Sequence, residues 1–247
     1  MSEAYFKNKI TIVTGSASGI GKATANELSH LGAVVIGIDK KPQKRSPFQE
    51  IRCDLSNEAN IIRAIKKIKK QTNKIDHLVN NAGILTIGEK RRISEQTLSQ
   101  WNSILKTNIT GMMLMMKHCY PLLKRASGAS IVNVSSDQSF KGRIAGAAYG
   151  VSKAGINALT KVAALEMIDD KIRVNAVAPG AVKTNIIKAL VKDKKTIDLM
   201  FEQKDGQLPF GISDPKDVSN LIIFLLSDKA KRITGEVVLA DSGEMLL

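Results

Sequence analysis

The chain has 247 residues and a hydrophobic fraction of 43%, enough for one α/β domain with a large core, so we expect residues 1–247 to form a single domain. Its two cysteines are too few for a disulfide framework and lack metal-ligand spacing, so no metal site is predicted. The net charge of +14 would suit a nucleic acid, but the lysines are dispersed, few aromatic residues accompany them and no nucleic-acid motif occurs, which favours a basic surface without that partner.

The first predicted elements are a strand, a glycine turn and a helix. They cover Lys9–Val13, the sequence TGSASGIG at Thr14–Gly21, and the amphipathic stretch Lys22–Leu31. This order is the one that a dinucleotide site requires. We assign the tight turn to Gly15, the close approach of backbone to a pyrophosphate to Gly19, and close packing of helix on strand to Gly21.

The second predicted strand, Ala33–Ile38, is followed by Asp39. A carboxylate there can accept hydrogen bonds from both hydroxyls of an adenosine ribose and would repel a 2′-phosphate, so Asp39 argues for NAD over NADP. Lys40 and Lys41 weaken this inference because they could partly offset the repulsion. The competing interpretation is a turn-forming aspartate before Pro42.

Strands and helices alternate along the rest of the chain. Further strands are predicted at Phe48–Cys53, Ile75–Val79, Ser130–Ser135, Ile172–Val177 and Glu236–Ala240, and further helices over Ser94–Lys124, Tyr149–Met167 and Asp214–Leu226. A strongly basic helix with Ser56 as its N-cap is predicted to run to about Gln71. This alternation predicts an α/β fold built on one doubly wound parallel sheet.

Polar or small residues interrupt this pattern at three places. Asn80–Gly83 reads NNAG at the carboxyl end of a predicted strand, which fits a turn that faces a cofactor. Asn108 lies in mid-helix, where asparagine is unfavourable unless its side chain has a function, and we predict a break over Asn108–Gly111. The lysine-rich segment Lys183–Gly211 follows a strand and has no strand pattern, which is typical of a substrate lid.

The segment Ser136–Lys153 carries the candidate chemistry. Ser136 precedes Tyr149 by 13 residues, and Lys153 follows it by four, so the phenol and the ammonium share one helix face. The ammonium is expected to lower the phenol pKa from its usual value of about 10. A serine hydroxyl beside them can hold a substrate oxygen, which makes a proton-transfer site for a carbonyl or carbinol. Taken alone, a Y-x-x-x-K pair more often reflects packing and a surface charge.

Taken together, these motifs resemble the short-chain dehydrogenase/reductase family over essentially the whole chain. The residues that carry the resemblance are Thr14–Gly21, Asp39, Asp54-Leu55, Asn80–Gly83, Asn108, Ser136, YGVSK at Tyr149–Lys153, and PGAVKT at Pro179–Thr184. The resemblance implies a Rossmann fold with a seven-stranded sheet, commonly assembled as a homotetramer through its two long helices, with a homodimer as the smaller possibility.

The resemblance also implies roles for individual side chains. Tyr149 would be the acid/base, Lys153 would lower its pKa and bind the nicotinamide ribose, and Ser136 would orient the substrate oxygen and stabilise its developing charge. Asn108 would hold a water in a proton relay behind Lys153, and Ser135 is the near competitor of Ser136. The implied cofactor-binding residues are Gly15, Ser18, Gly19, Ile20, Gly21, Asp39, Asp54, Leu55, Asn81, Ala82, Gly83, Tyr149, Lys153, Pro179, Gly180, Val182 and Thr184.

The expected activity is that of an NAD(H)-dependent oxidoreductase that interconverts an alcohol and a carbonyl on a small molecule. The substrate stays open: Ser136-Asp137, Arg143-Ile144 and Ala147–Gly155 resemble bacterial dihydro-dihydroxybenzoate dehydrogenases, which oxidise a cyclic diol. Asp241–Gly243 departs from the Gly-Gly pair near the end of many relatives. The rival hypothesis is a catalytically idle NAD-binding or scaffolding protein on the same fold.

The location of the protein is predicted from what the sequence lacks. The N-terminal residues contain no long apolar run, which argues against a secretory signal. No segment approaches the roughly 20 apolar residues that a membrane-spanning helix needs. We therefore expect a soluble, cytoplasmic protein without a membrane partner.

Overall fold

Runs of aliphatic and β-branched residues form the strands of one parallel sheet in the structure, a computed structural model that describes residues 3–85, 91–186 and 193–247. The strands are β1 Ile10–Thr14, β2 Val34–Asp39, β3 Gln49–Arg52, β4 His77–Asn80, β5 Ser130–Val134, β6 Arg173–Pro179 and β7 Val237–Ala240. Their order is β3-β2-β1-β4-β5-β6-β7, and every neighbouring pair is parallel. This confirms the predicted Rossmann-type sheet of seven strands.

Helices cover both faces of this sheet. They are α1 Glu3–Phe6, α2 Gly19–His30, α3 Glu58–Lys69, α4 Leu98–Leu105, α5 Gly111–Leu123, α6 Ala147–Glu166, α7 Lys194–Asp205 and α8 Pro215–Leu226. One hydrophobic cluster packs α3, α5 and α6 against the sheet, and a second packs α2 and α8. Ile12 belongs to the first cluster and Val13 to the second, as expected when successive strand residues point to opposite faces.

The order of the strands determines where a ligand can bind. The chain moves outward from β1 to β2 and β3, then returns to β4 on the other side of β1. The loops after β1 and β4 therefore diverge and leave a crevice at the carboxyl ends of these strands, the usual ligand position in open α/β sheets. Within the described residues, no helix is long and apolar enough to cross a membrane.

Three details differ from the predicted elements. The N-cap of α3 is Asn57, whose Oδ1 accepts from the Asn60 amide at 3.2 Å, and Ser56 instead donates its hydroxyl to Asp54. The helix predicted over Ser94–Lys124 begins at Leu98, and at the predicted break over Asn108–Gly111 the chain stays helical through a π-helical turn at Lys106–Thr110 that joins α4 to α5. The predicted lid contains α7, and its residues 187–192 lie outside the described residues.

Candidate active site

A cavity of about 880 Å³ opens at the carboxyl ends of the central strands. Its size is in the range of about 300–1,000 Å³ that is usual for cofactor and substrate pockets. The predicted site residues that line it are Gly15, Ser18, Gly19, Ile20, Asp39, Asp54, Leu55, Asn81, Ala82, Gly83, Ser136, Tyr149, Lys153, Pro179, Gly180, Val182 and Thr184. Gly21 and Asn108 are absent from this lining. The structure thus brings nearly the whole predicted site together around one space.

The glycine turn has the conformation that its residues permit. Gly15 has a φ of +68° and Gly19 a φ of +55°, both in the left-handed region that favours glycine. At Gly21, a Cβ atom would lie 2.2 Å from the Gly15 carbonyl oxygen and 2.3 Å from Asn81 Nδ2. Gly21 therefore allows α2 to pack on the turn and on Asn81, which differs from the predicted packing on the strand itself.

Hydrogen bonds from the neighbouring strand support the glycine turn. Asn81 Nδ2 donates to the carbonyl oxygens of Thr14 at 3.0 Å and Gly15 at 3.3 Å. The Thr14 hydroxyl in turn accepts from the amides of Asn81 at 2.9 Å and Ala82 at 3.1 Å. The turns after β1 and β4 thus hold each other in place, and the Asn81 amide group is used for this contact.

Asp39 lies at the end of β2, where both of its carboxylate oxygens accept backbone hydrogen bonds. Oδ2 accepts from the Ala17 amide at 3.1 Å, and Oδ1 accepts from the Lys41 amide at 2.8 Å. The ammonium group of Lys40 is directed elsewhere, since its Nζ lies 2.6 Å from Asp54 Oδ2. The charge of Lys40 therefore pairs with Asp54 and does not neutralise Asp39.

Tyr149 and Lys153 share one face of α6, as predicted, but they interact differently from our expectation. Lys153 Nζ donates to the Val134 carbonyl oxygen at 2.7 Å and lies 5.6 Å from the centre of the Tyr149 ring. Burial raises the pKa of the Tyr149 phenol to about 12; the Ser136 hydroxyl opposes this shift and the charge of Asp137 adds to it. The expectation that Lys153 lowers the Tyr149 pKa is therefore wrong for this structure, because the ammonium is directed at Val134.

Burial also lowers the pKa of Lys153, from 10.5 to about 8. Between these values the unfolded chain binds more protons, so the contribution of Lys153 to stability improves as pH rises through this window. Below about 8 the folded protein bears the full cost of burying the ammonium. Lys153→Met removes this cost but leaves the Val134 carbonyl without its donor, so we expect a net gain of about 1–2 kcal/mol in the free energy of unfolding near pH 7.

Urea unfolding of both proteins at several pH values checks this expectation. The advantage of Lys153→Met over wild type should fall as pH rises from about 8 to 10.5 and then reverse in sign, because the neutral Lys153 amine no longer costs stability and still donates to the Val134 carbonyl. Lys161→Met is a matched control, because Lys161 lies on the exposed side of the same helix. Parallel pH profiles for wild type and Lys153→Met would contradict the buried-charge explanation.

The two neighbouring serines have different partners. Ser135 Oγ is hydrogen-bonded to α6, at 2.6 Å from Asn157 Oδ1 and 3.1 Å from the Lys153 carbonyl oxygen. Ser136 Oγ donates to Asp137 Oδ1 at 2.9 Å and accepts from the Gln138 amide at 3.2 Å. Ser136 also lowers the Tyr149 pKa, whereas Ser135 is used to hold α6, and this difference favours Ser136 over Ser135 as the substrate-binding hydroxyl.

An ionic cluster lies behind Ser136, with Asp137 and Glu244 largely covered and their cationic partners partly exposed. Asp137 Oδ2 is 3.3 Å from Lys141 Nζ and 3.5 Å from an Arg143 nitrogen. Glu244 Oε1, near the C-terminus, lies 2.9 Å from Lys141, 2.6 Å from Arg143 and 2.9 Å from Lys204 of α7. The cluster joins the loop after β5, the lid helix and the C-terminal segment. The cluster was not predicted from the sequence, although the departure at Asp241–Gly243 indicated that this end of the chain is unusual.

Asn108 is fully buried in the π-helical turn. Its Oδ1 accepts from the Ile84 amide at 2.8 Å, and its Nδ2 donates to the Ile84 carbonyl at 2.9 Å and to Ser152 Oγ at 3.0 Å. Both amide hydrogens are therefore used to hold the loop after β4 against α6. The water relay behind Lys153 remains a prediction.

Some residues that line the cavity were not identified from the sequence. Ser103 comes from α4, Lys106 and Thr107 come from the π-helical turn, and Asn185 and Ile186 come from the start of the lid segment. The predicted helix break could have indicated Lys106 and Thr107, since they lie next to Asn108. The described ranges contain no group of three metal-ligating side chains.

The comparisons with known proteins agree with this geometry. A family model described as enoyl-(acyl carrier protein) reductase matches residues 15–244. The chain is 33% identical to 2,3-dihydro-2,3-dihydroxybenzoate dehydrogenase of Escherichia coli, with 98% of each chain covered. It is 31% identical to the 3-oxoacyl-(acyl-carrier-protein) reductase of Aquifex aeolicus, over 98% of this chain and 99% of that protein. The structure of aldohexose dehydrogenase from Thermoplasma acidophilum has a TM-score of 0.92 and 30% identity, covering 98% of this chain and 96% of that one.

The chain therefore belongs to the short-chain dehydrogenase/reductase family, whose members are oxidoreductases that bind a nicotinamide dinucleotide.

Proposed function

We propose that the protein is an NAD(H)-dependent oxidoreductase that interconverts an alcohol and a carbonyl, with Tyr149 as the acid/base. The observation that carries this proposal is that Tyr149, Ser136 and Lys153 line the same cavity as the glycine turn and Asp39. A hydride carrier and a proton-transfer group would therefore meet at one substrate. The catalytically idle alternative would leave this arrangement of polar side chains without a use.

The residues around the glycine turn fit a dinucleotide. Ser18, the N-cap of α2, makes no side-chain hydrogen bond to the helix, so the first amides of α2 are free to bind phosphate oxygens. The nicotinamide, when bound, supplies the hydride chemistry. Pro179, Gly180, Val182 and Thr184, which line the cavity after β6, would orient it.

The protein itself would supply the proton. Tyr149 has a pKa of about 12, so its phenol is protonated near neutral pH and can donate a proton to a carbonyl oxygen. In the oxidative direction the Tyr149 phenol oxygen must first lose its own proton and then accept the proton of the alcohol. Lys153, whose own pKa is lowered by burial, lies beside the ring and would bind the nicotinamide ribose.

We expect NADH to bind at least about tenfold more tightly than NADPH, a difference of about 1.4 kcal/mol. The carboxylate of Asp39 would accept from the ribose hydroxyls and repel a 2′-phosphate, and Lys40 is paired with Asp54 instead. Calorimetric titration with each cofactor measures the ratio. Asp39→Ser should reduce it, whereas Lys40→Ala, the matched control, should increase it or leave it unchanged. Tighter binding of NADPH to the wild-type protein would refute the assignment of Asp39.

The substrate proposed here is a cyclic diol or another small hydroxy or keto compound. The similarity to the Escherichia coli dehydrogenase supports a cyclic diol. A screen of such alcohols with NAD, followed by the rate of NADH formation, tests this. Binding of NADH without turnover of any alcohol or ketone would favour the idle alternative.

We also propose a homodimer or homotetramer built through the long helices. The exposed face of α6 supports this, because Val151, Val162 and Leu165 are 50%, 50% and 74% exposed. Light scattering on the purified protein measures the assembly size. A single domain and a cytoplasmic location remain part of the proposal.

A further inference from the structure

The loop after β2, residues 40–48, is tied to the glycine turn by side-chain hydrogen bonds. Gln43 Nε2 donates to the Ala17 carbonyl oxygen at 2.5 Å, and the backbone amide of Gln43 donates to Glu50 Oε2 at 2.5 Å. Glu50 Oε1 accepts from the Ser16 hydroxyl at 3.3 Å. Glu50 of β3 therefore holds the loop and the turn at the same time. Gln43 and Glu50 both lie outside the set of residues that line the cavity.

The packing of β2 and β3 brings Glu50 to this position. Glu50 is the register partner of Gly37 in the parallel sheet. A Cβ atom at Gly37 would lie 2.5 Å from Ser16 Oγ and 2.8 Å from Phe48 Cε2. The lack of a side chain at Gly37 thus lets the buried Ser16 and the end of the loop meet over β2, next to the Glu50 carboxylate.

Ala17 is held by both of its peptide groups. Its amide donates to Asp39 Oδ2 at 3.1 Å, and its carbonyl oxygen accepts from Gln43. The Lys41 amide donates to the other oxygen of Asp39 at 2.8 Å. A 2′-phosphate bound beside Asp39 would need such backbone donors or a cation. Asp39 therefore occupies two of the donors that a phosphate could use, in addition to repelling it.

The same loop carries cations that could serve a phosphate instead. Lys41, Lys44 and Arg45 are exposed to solvent, and Gln43 lies between them in the chain. The loop would have to move for these side chains to turn toward the ribose. The hydrogen bonds of Gln43 to Glu50 and Ala17 oppose that movement, because both would be broken.

We propose that Glu50 is a positioning residue for cofactor selection, which holds the loop after β2 through Gln43 and keeps the cations of that loop away from the 2′ position of the adenosine ribose. The preference for NADH then depends on two carboxylates, Asp39 by direct repulsion and Glu50 through the loop. The cofactor part of this proposal rests on the proposed function; the hydrogen bonds around Gln43 do not.

The test is the ratio of the NADPH Kd to the NADH Kd, measured by calorimetric titration of wild type, Asp39→Ser, Glu50→Gln and the double variant. A glutamine has one acceptor oxygen where the carboxylate has two, so Glu50→Gln loses at least one of the two bonds. We expect it to lower the ratio by about threefold in the wild-type background and by about tenfold in the Asp39→Ser background. The larger effect arises because a phosphate then finds both free amides and mobile cations.

Two further variants separate position from charge. Glu166→Gln removes the same charge at the end of α6, away from the cavity lining, and should leave the ratio unchanged. Gln43→Ala removes the bond to Ala17 but keeps the Glu50 carboxylate, and it should lower the ratio in the Asp39→Ser background as Glu50→Gln does. A ratio that falls in Glu50→Gln but not in Gln43→Ala would refute the role of the loop, since Glu50 would then act by charge alone.

The ratio also distinguishes selection from general damage to the site. A distorted glycine turn weakens both cofactors alike, so NADH binding with the same ratio in both backgrounds would overturn the role of Glu50. If Glu50→Gln does not fold, as judged by circular dichroism, Gln43→Ala applies the same criterion. Binding of neither cofactor to the wild-type protein would overturn the proposed function together with this proposal, whereas an unchanged ratio would overturn this proposal alone.

Discussion

Tyr149→Phe is expected to lower kcat for alcohol oxidation and carbonyl reduction by about 10²–10⁴-fold while leaving the affinity for NADH unchanged. The phenylalanine ring keeps the packing on α6 but has no hydroxyl to donate or accept the proton. The protein also keeps Lys153, whose ammonium is held by the Val134 carbonyl at 2.7 Å and not by the phenol. Steady-state kinetics on a turned-over alcohol and calorimetry with NADH measure the two quantities.

Tyr5→Phe is the control for this variant, because the Tyr5 hydroxyl donates to the Leu226 carbonyl at 3.3 Å and does not line the cavity. It should retain normal kcat. If Tyr149→Phe also kept its turnover, Tyr149 would not be the acid/base. If it lost NADH binding as well, the loss of activity would reflect a distorted cofactor site and not a missing proton donor.

Gly21→Ala is expected to lower the free energy of unfolding by about 3 kcal/mol, the upper part of the usual cost of overpacking. The new methyl group would lie 2.2 Å from the Gly15 carbonyl oxygen and 2.3 Å from Asn81 Nδ2, and the turn or α2 must move to admit it. The displaced amides of α2 should weaken NADH binding by about 100-fold. Urea unfolding and calorimetric titration give the two values.

Gly142→Ala is the matched control, because a Cβ atom at Gly142 would meet no other atom within 4 Å. Its stability and NADH affinity should stay close to those of wild type. Full NADH affinity in Gly21→Ala would show that the turn after β1 does not form the phosphate site, and it would remove the main support for the cofactor proposal.

The sheet, and most of the residues that line the cavity, could be predicted from local patterns. Short stretches such as Thr14–Gly21 predict the order of strand, turn and helix. Parallel strands place the loops at their carboxyl ends along one edge of the sheet. The positions of Asp39, Tyr149 and Lys153 in the cavity follow from this periodicity and from the family motifs. No side-chain contact over a long distance had to be known.

The partners of these side chains could not be predicted in the same way. Ser56 and Asn57 are adjacent, and serine and asparagine are both preferred N-cap residues, so the sequence alone does not distinguish them. Lys153 is directed to Val134, 19 residues away, and Glu244 reaches Arg143 across 101 residues. Such pairs depend on how distant loops pack against each other. Neither hydrophobic periodicity nor motif spacing predicts that packing. The raised pKa of Tyr149 follows from the same packing, since burial is its largest cause.

The π-helical turn at Lys106–Thr110 restricts which changes of chain length this region can accept. A π turn holds one residue more than an α turn, because its hydrogen bonds span five residues. Deletion of one residue here would leave an α turn in place of the π turn, so α4 and α5 would keep nearly the same orientation while the side chains within the turn change direction. Asn108 would then lose its position between Ile84 and Ser152. Point substitutions preserve this register, so lineages of this chain should vary in sequence at the turn more readily than in length.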